Sequence, residues 1–525
     1  MEPSAGRRGG RGIGLIVAAG LALLAAGAAL TGSSLAGVKA SVDGVERPVA
    51  AGARDPADQR ANNSPSLARN PARPDNLVVV NRIDLPQYSC AVHSSTDNGA
   101  SWTERALPFP AGEERPERCF APDASFGPDG TLYVAFATLI GMGNSPNAEW
   151  TVSSRDDGAS FSVPARVLGP HGFQVRLLAD PQRPGRLYLS WLQAESVGLA
   201  LFPTTNNPIT VARSDDGGAT WGPPARVSRP SRLRVVAPSM AFGRGGELLV
   251  LYVDLGDDRL DYNGGHGWLA GEPYGGTWSL VLARSGDQGA TWSERVVDGA
   301  VAPTERFLVF LPQTPSLAVD PARNRVYVGF ADGRLGDPDV WVRASTDGGA
   351  TFSKRRRVND TARSDGRSQY LPRLSVAGNG RLDVLYYDRR SDAANVRNEV
   401  SLQSSFDGGR SFEPRLRLTS VSFDSRIGFG SSRGLPDLGS RLALLSGDGR
   451  ALAVWTDTRA GTVETRKQDL GQAAVAFTAA SPWRQPLRRA APVLVIVAVV
   501  VLIWSLLPLV PRGRPKAFNE SEGHV

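Results

Sequence analysis

Pairs of aspartate and arginine recur near the ends of several predicted strands, and these residues could bind a charged ligand. The pairs are Asp332/Arg334, Asp388 with Arg389 and Arg390, Asp457/Arg459 and, in reversed order, Arg82/Asp84. Arginine suits an anion because its planar fork can donate to both oxygens of a carboxylate. Two interpretations stay open. The pairs form a charged ring that binds an anionic ligand through Arg334, Arg389 and Arg459, or they form salt bridges repeated because the structure around them is repeated.

A second group of candidates lies in the glycine-rich segment 255–278. It contains Asp257, Asp258, Asp261, Tyr262, His266, Trp268, Glu272, Tyr274 and Trp278. The rings of Tyr262 and Trp268 could stack on the apolar face of a sugar, and the carboxylates could bind Ca²⁺ through hard oxygens. A solvated loop is the alternative, although long loops are disproportionately functional. We expect ligand contacts from Tyr262 and Trp268 and no cofactor other than, at most, Ca²⁺. The four histidines do not have zinc-ligand spacing.

These residues stand in a repetitive chain. The octapeptide Ser-x-Asp-x-Gly-x-x-(Trp/Phe) occurs six times, with aspartates spaced 59, 60, 71, 60 and 60 residues apart. The aspartates are Asp97, Asp156, Asp216, Asp287, Asp347 and Asp407. Aspartate accepts local backbone N–H bonds and glycine tolerates positive φ, so each octapeptide predicts a tight hairpin turn.

Each unit also contains a short strand, a Gly/Asn/Asp turn and an apolar strand, as in 315–334 and 372–390, and seven such units can be counted. About four strands in each 60-residue unit predict radially repeated four-stranded sheets, which is a β-propeller. We predict an all-β fold with seven blades over residues 62–480. Six blades, with the two ends completing one blade together, is the alternative.

The octapeptides resemble the Asp boxes, or BNR repeats, of the sialidase (neuraminidase) superfamily, and the resemblance covers residues 62–480. It implies structural turns on the outer rim, away from the ligand. The superfamily also includes propellers that are not sialidases, so fold alone does not imply catalysis.

The resemblance also implies where a sialidase site would lie. Sialidases hold the substrate carboxylate with three arginines and use a tyrosine–glutamate pair and an aspartate acid/base. The first arginine normally stands two residues before a proline. None of the equivalent residues here is arginine: Asn63, Phe120, Phe173, Val236, Gln313, Tyr370 and Gly434. In the fifth unit, Asp337 and Asp339 match the stretch that carries the acid/base aspartate. They are candidate general acids, and an aspartate-rich turn is the alternative.

In a propeller, the loops after the second strands and the connections between blades open on one face, opposite to the octapeptides. Cys90 and Cys119 fall near this face in neighbouring blades. We expect a disulfide between them in an oxidising compartment, with two free thiols as the alternative.

The two ends of the chain carry apolar runs. Arg7, Arg8 and Arg11 precede a run from residue 13 to 30, as in a signal peptide or signal anchor within residues 1–40. Residues 491–510 carry no charge and are long enough for a transmembrane helix. The predicted order then has a linker at 41–61, a juxtamembrane linker at 481–490 and a cytoplasmic tail at 511–525. This order places the propeller outside the cell membrane.

Charge excludes one class of function. The net charge is +7, but residues 1–12 and 484–525 hold nine basic and three acidic residues, which leaves the rest nearly neutral. A basic nucleic-acid-binding face is therefore not expected.

Three functions remain. The first is a membrane-anchored, extracytoplasmic, sialidase-like propeller that binds glycan or protein. The second is an exo-glycosidase of the exo-α-sialidase type, and the third is an assembly scaffold for other envelope proteins.

Overall fold

The computed structural model describes residues 37–50, 55, 57–113, 118–141, 144–194, 206–260, 274–304, 313–428, 437–479, 496 and 499. Strands dominate these residues and form seven antiparallel sheets, each with a path of four neighbouring strands. The prediction of an all-β propeller with seven blades is confirmed. Residues 40–477 form one compact unit.

Blades 1 to 3 follow one another along the chain. Blade 1 contains β2 (Asn62–Arg69), β3 (Leu77–Ile83), β4 (Ser89–Ser95) and β5 (Thr103–Ala106). Blade 2 contains β6 (Cys119–Phe126), β7 (Leu132–Ile140), β8 (Ser145–Ser154) and β9 (Ala165–Leu168). Blade 3 contains β10 (Gly172–Ala179), β11 (Leu187–Gln193), β12 (Ile209–Ser214) and β13 (Ala225–Arg226).

Blades 4 to 6 repeat the same order, and one 3₁₀ turn (Arg244–Gly246) interrupts blade 4. Blade 4 contains β14 (Val235–Phe242), β15 (Leu248–Asp254), β16 (Trp278–Ser285) and β17 (Ser293–Val301). Blade 5 contains β18 (Ser316–Asp320), β19 (Arg325–Asp332), β20 (Asp339–Ser345) and β21 (Arg356–Arg357). Blade 6 contains β22 (Gln369–Val376), β23 (Leu382–Asp388), β24 (Arg397–Ser405) and β25 (Leu416–Arg417), and the short strand β26 (Phe423–Asp424) also pairs with β24.

Blade 7 is built from both ends of the propeller. Its strands run β27 (Ala443–Ser446), β28 (Arg450–Asp457), β29 (Asp469–Ala479) and, outermost, β1 (Val38–Pro48). The predicted linker at 41–61 and the predicted start of the propeller at residue 62 therefore require correction. The reason is physical: β1 completes a sheet whose other strands lie at the far end of the chain, and no octapeptide precedes it.

All six octapeptides adopt the same kind of turn, and the turn of blade 5 serves as the example. The hydroxyl of Ser345 donates to Asp347 Oδ1 (2.6 Å) and accepts from the Gly349 N–H (2.7 Å). The Thr351 N–H and hydroxyl donate to the two oxygens of the Asp347 carboxylate (2.9 and 2.5 Å). The same bonds recur in the other five turns. These bonds hold the pKa of Asp347 far below its usual range. The aspartate side chains of the octapeptides therefore serve to stabilise the turns.

The hydrophobic core lies between neighbouring blades. Apolar side chains of adjacent sheets pack together, as where Val281 and Leu282 of blade 4 share a cluster with Val326 and Val328 of blade 5. The six turns mark one face of the propeller, called here the octapeptide face. The opposite face carries the loops after the second strands and the connections between blades, and is called the loop face.

The terminal predictions lie almost wholly outside the described residues. Residues 1–36 are not described, and of residues 491–510 only 496 and 499 are. Among the residues that the structure describes, we find no helix with the length and apolarity needed to cross a membrane.

Candidate functional site

The Asp/Arg pairs of the loop face form ion pairs within their own turns. In each, the arginine side chain returns to the aspartate two residues earlier. The contacts are Arg334 Nη2 with Asp332 Oδ2 at 2.7 Å, Arg390 Nε with Asp388 Oδ2 at 2.7 Å, and Arg459 Nε with Asp457 Oδ2 at 2.9 Å. The backbone N–H of each arginine also donates to that carboxylate at 2.9–3.0 Å. This geometry matches the salt-bridge interpretation of the pairs.

Two of the predicted ligand-binding arginines hold other parts of the fold. Arg389 is 2% exposed and donates to the Asn395 carbonyl (2.6 Å) and the Ser425 hydroxyl (2.7 Å). Arg459 also pairs with Glu46 of β1 (2.9 Å) and so ties the outermost strand of blade 7 to the loop after β28. Their guanidinium groups are engaged by the protein itself.

Asp332 belongs to a buried charge network on the same face. It is fully buried, and Arg355 donates to it at 3.2 Å while also pairing with Asp298, which is 3% exposed. Burial raises the pKa of Asp332 to about 7, although Arg355 opposes the shift. Arg355 therefore compensates two buried carboxylates at once.

Asp337 and Asp339 differ sharply in their surroundings. The fully buried Asp339 accepts from Arg357 Nε (2.7 Å) and Asn359 Nδ2 (2.7 Å) through one oxygen. Asp337 is 6% exposed, and among the described residues neither of its carboxylate oxygens has a hydrogen-bond donor. Burial, with nearby Asp339 and Asp365, raises the pKa of Asp337 to about 6. Asp337 is thus the less compensated acid of the two.

Of the long segment, Tyr262 and Trp268 lie outside the described residues. Asp258, at its start, is 1% exposed and accepts from Trp278 Nε1 (2.8 Å) and the Leu260 N–H (2.8 Å). That carboxylate fixes the loop against blade 4. Across the described part of the chain, no three His, Cys, Asp or Glu side chains are gathered in a way that could hold a metal ion.

A bulge recurs in the innermost strands. In blades 1, 2, 3, 4 and 6, the register with the second strand shifts at one place. At each shift one residue has positive φ: Ser64 (55°), Ala121 (50°), Gln174 (56°), Ala237 (60°) and Leu371 (53°). A bulge re-aims the side chains that follow it. The first residues paired again after the bulge are Ser66, Asp123, Arg176, Ser239 and Arg373.

All five of these residues line a cavity of about 290 Å³. The first strands of blades 1, 2, 3, 4, 6 and 7, or residues directly before them, contribute to its wall. Since six blades meet around it, the cavity lies in the central channel. We call Arg176, Arg373 and Arg441 the channel arginines; Arg441 enters from just before β27.

One channel arginine is paired. Arg441 is 8% exposed; its Nε donates to the Ser64 carbonyl (3.0 Å) and its Nη1 lies 3.5 Å from Asp123 Oδ1. Asp123 also accepts from the Ser66 hydroxyl (2.5 Å) and the Leu177 N–H (2.9 Å). Asp123 is therefore surrounded by donors and holds Arg441 across the channel.

The other two channel arginines are not matched by acids. Arg176 donates to its neighbouring carbonyl, that of Val175 (2.9 Å). Arg373 makes no hydrogen bond or ion pair with any residue that the structure describes, and its Nε is buried. Burial lowers the pKa of both, and nearby Asp123 opposes this.

The cavity is therefore electropositive. Of the residues that the structure describes, four arginines line it, Arg69 and the channel arginines, with one carboxylate, Asp123. Burial lowers the pKa of Arg441 to about 9, with Arg176 and Arg373 adding to the shift. Like charges held together in a confined space favour an anion that accepts from their forks.

Aromatic side chains stand at the loop-face ends of two first strands. Phe120 and Phe173 are partly exposed at the starts of β6 and β10. The Arg82 guanidinium lies 4.7 Å from the Phe120 ring centre, and Tyr88 meets that ring edge-on at 5.7 Å. Next to them Cys90 is bonded to Cys119, which links blades 1 and 2.

The position two residues before the reference proline serves the fold. Gln313 accepts from the Leu371 N–H (2.7 Å), and the Asn63 amide donates to Asp84 (2.8 Å). Tyr370 is 1% exposed and donates to Asn398 (2.9 Å), while Gly434 lies outside the described residues. None supplies a cation to the channel.

The channel arginines were missed from sequence because each stands alone in its own unit. Arg373 directly follows the reference proline Pro372, as Asp123 follows Pro122 and Ser66 follows Pro65. An alignment of the units on the residue that follows the reference proline would have placed Arg373 and Asp123 at equivalent positions. Arg176 and Arg441 lack the proline, so that alignment would not have reached them.

No family model and no curated protein matches the chain. Several solved structures are similar. The sialidase Hz136 of a Hadza microbial source is 18% identical over 63% of this chain and 63% of that one, with a TM-score of 0.41. A GH93 α-L-arabinofuranosidase of Fusarium graminearum is 13% identical over 70% and 98%, with a TM-score of 0.44. A PL25 ulvan lyase is 13% identical over 78% and 93%, with a TM-score of 0.46. Likenesses of this level say nothing about the activity of this chain.

Proposed function

We propose that this propeller is a binding protein for an anionic ligand, which is held in the central channel. The single observation that carries the proposal is the pair Arg176 and Arg373, two guanidinium groups in one cavity that form no ion pair with any carboxylate in the described part of the chain. A bound oxyanion would accept the hydrogen bonds that the protein leaves unmade. Such charge-assisted bonds are worth about 1.5–3 kcal/mol each.

An acidic glycan is the ligand class that suits the surroundings best. Its carboxylate or sulfate would accept hydrogen bonds from the channel arginines. A channel cavity of about 290 Å³ is in the range of one small acidic group or sugar ring, which favours a chain end over a chain interior. This is the glycan-binding function expected from the sequence, with the anion held at residues not foreseen.

The geometry favours binding over hydrolysis. A sialidase-type mechanism needs a tyrosine activated by glutamate beside the arginines. The hydroxyl of Tyr252 does donate to Glu294 (2.5 Å), but the pair joins β15 to β17 inside blade 4. Tyr252 is fully buried, and burial together with Glu294 raises its pKa. That tyrosine is stabilised in its neutral form, the opposite of an activated nucleophile.

Hydrolysis by an exo-glycosidase is the second candidate, and Asp337 is the observation that favours it. A buried carboxyl with a raised pKa can hold a proton for a leaving group. The test is release from fluorogenic α-sialosides and other aryl glycosides across pH 4–8. Release that Asp337→Asn abolishes, but that Asp392→Asn on the neighbouring loop preserves, would establish a glycosidase.

We also propose that the propeller is extracytoplasmic and held at the cell membrane by residues 491–510. The apolar length of that run and the disulfide between Cys90 and Cys119 support this placement.

The binding proposal is tested with the full-length chain in detergent micelles. Titration calorimetry would compare sialic acid, glucuronic acid and a sulfated monosaccharide with their neutral parent sugars. We expect binding of an acidic sugar and none of its neutral analogue. Arg373→Gln should weaken binding 10- to 100-fold. Arg356→Gln, which removes an exposed arginine from β21, is the matched control. Equal affinity of Arg373→Gln and the parent chain would refute the channel site.

A further inference from the structure

The first strand of each blade runs from the loop face to the octapeptide face. The turns that join first and second strands, called here the inner turns, lie beside the octapeptide turns. In blade 1 the Asn98 N–H of the octapeptide donates to the Asp75 carbonyl of the inner turn (2.9 Å). In blade 3 the Gly217 N–H donates in the same way to the Gly185 carbonyl (2.8 Å). The last residue of a first strand, such as Arg69 of β2, therefore lies at the octapeptide face.

The wall of the cavity follows the part of these strands that lies between the bulges and the octapeptide face. It is formed by residues 65–69 of β2, 123–126 of β6 and 176–178 of β10, with Ser239 and Met240 of β14. Each of these stretches begins after the positive-φ residue of its bulge. On the bulged strands, no described residue on the loop-face side of a bulge lines the cavity. The cavity therefore extends from the bulges towards the octapeptide face.

Hydrogen bonds between neighbouring blades fix the bulges on the loop-face side of the cavity. In each bond, a side chain in one blade accepts from a backbone N–H of another. The bonds are Ala237 N–H to Gln174 Oε1 (2.7 Å), Leu371 N–H to Gln313 Oε1 (2.7 Å) and Ser440 N–H to Ser64 Oγ (2.9 Å). In the first strands of blades 1, 4 and 6, every residue up to the bulge is buried, and exposure returns only beyond it, at Ser66, Met240 and Arg373. The bulges thus shield the cavity from the loop face in these blades.

Arg69 lies at the other end of the cavity. It is partly exposed, and its Nη2 is 3.4 Å from Asn98 Oδ1 in the first octapeptide. It forms no ion pair with a carboxylate among the residues that the structure describes, and its buried Nε has no hydrogen-bond partner there. Burial and the nearby Arg450 lower the pKa of Arg69, although Asp75 opposes the shift. The octapeptide-face end of the cavity therefore carries positive charge that the fold does not use.

We infer that the acidic ligand enters the channel from the octapeptide face, and that Arg69 is a further ligand-binding residue at this entrance. The inference rests on the binding function proposed above and gives it a direction. Arg69 stands three residues beyond Ser66 on β2, which is about 10 Å of strand, so an entering anion meets it first. The acidic end of a glycan then lies against Arg176 and Arg373, and the rest of the chain leaves between the inner turns. The ligand thus enters opposite to the loop face, where the sequence predicted its site.

Photochemical labelling would locate the entrance. The probes are sialic acid, glucuronic acid and a sulfated monosaccharide, each with a diazirine on a short linker at the ring carbon farthest from its acidic group. They are irradiated with the full-length chain in detergent micelles, and the labelled peptides are identified by mass spectrometry. Labels that an excess of the free sugar removes are the specific ones. We expect them on the inner turns at 70–76, 127–131 and 180–186.

The alternative outcomes separate this inference from the function on which it rests. Specific labels mainly on the loop-face segments 84–88 and 118–120 would overturn the direction of entry and leave the binding function standing. Absence of specific labels, together with absence of binding in calorimetry, would overturn both.

The role of Arg69 is tested by the rate of association. Arg69→Gln should slow the association of the acidic sugar several-fold, because a charge at the rim of a site acts strongly on the encounter. Arg105→Gln removes the same charge from an exposed position on β5 of the same blade and is the matched control. Stopped-flow fluorescence, with a dye in place of the diazirine, measures both. Equal rates for the two variants would overturn the assignment of Arg69.

Discussion

The loop face and the central channel use the same residue for opposite purposes. On the loop face, Arg334, Arg390 and Arg459 each lie beside an aspartate two residues earlier, and their positive charge is compensated where it stands. In the channel, four arginines share one carboxylate, and Arg373 has no partner among the described residues. The ion pairs of the loop face hold loops in place, whereas the channel arginines keep positive charge available for a ligand.

The difference teaches that the number of arginines at a site says little until their partners are known. A buried guanidinium without an acid costs folding free energy, so its retention points to a use outside folding. A guanidinium paired in a turn is explained by the turn. By this criterion, the recurring Asp/Arg motifs are structural, and the isolated arginines of the channel are the functional candidates.

The largest expected effect comes from removing an arginine that neutralises buried aspartates on the loop face. Arg355→Gln removes the cation that Asp298 and Asp332, both buried, share, while Asp298 keeps Arg343 and Asp332 keeps Arg334. Because each carboxylate retains one arginine, the expected loss is about 1.5–3 kcal/mol, the value for hydrogen bonds to charged groups. Urea denaturation should show this loss, while the same substitution at the adjacent exposed Arg356 should change the free energy of unfolding by less than about 0.5 kcal/mol. Equal effects at the two positions would contradict the role of the network.

Asp337 is the acidic counterpart of the uncompensated arginine. The pKa of Asp337 is about 6 in the folded protein, against an ordinary value of 3.8. The folded protein thus keeps a proton that the unfolded chain releases above about pH 4. The stability that this proton contributes is present below pH 4 and is lost as the pH rises through 6.

Asp337→Asn should therefore be more stable than the parent chain above pH 6, on the order of 1–2 kcal/mol, with the difference vanishing towards pH 4. Asp347→Asn is the contrast, because hydrogen bonds lower that pKa and the variant should lose stability above pH 4. Denaturation at pH 4, 5.5 and 7 distinguishes the two signs. A pH-independent difference for Asp337→Asn would show that its carboxylate is compensated after all.

The smallest effect is expected in an octapeptide. Ser345→Ala removes the acceptor of the Gly349 N–H and the donor to Asp347, at about 1 kcal/mol. Ligand binding in the channel should stay unchanged, because no described residue of blade 5 lines the cavity. Lys354→Ala, at an exposed position just beyond the turn, serves as control in the same melts. A shift in ligand affinity for Ser345→Ala would link the two faces, against this account.

Most of the fold could be predicted from sequence because the repeat is local. Each octapeptide carries its own turn chemistry within eight residues, and each apolar strand stands at a regular distance from it. The closing strand could not be foreseen. Val38–Pro48 pairs with residues more than 400 positions later, and its sequence has no octapeptide and little buried apolar surface.

The site was predictable only in outline. The loop-face pairs could be found because aspartate and arginine stand two residues apart, and such short motifs are also the ones most readily explained by a turn. Arg176, Arg373 and Arg441 come from three blades, and the first two reach the channel through a bulge that no local sequence pattern predicts. The contribution of Tyr262 and Trp268 to ligand binding stays a prediction.

The most direct test of the central claim is to measure stability and binding together in Arg373→Gln. The full-length variant would be compared with the parent chain by urea denaturation and by titration with the acidic sugar that binds best. An unpartnered guanidinium held for a ligand predicts unfolding at equal or higher urea concentration, with binding weakened 10- to 100-fold. A clear loss of stability with unchanged affinity would contradict the account, since Arg373 would then serve the fold like the arginines of the loop face.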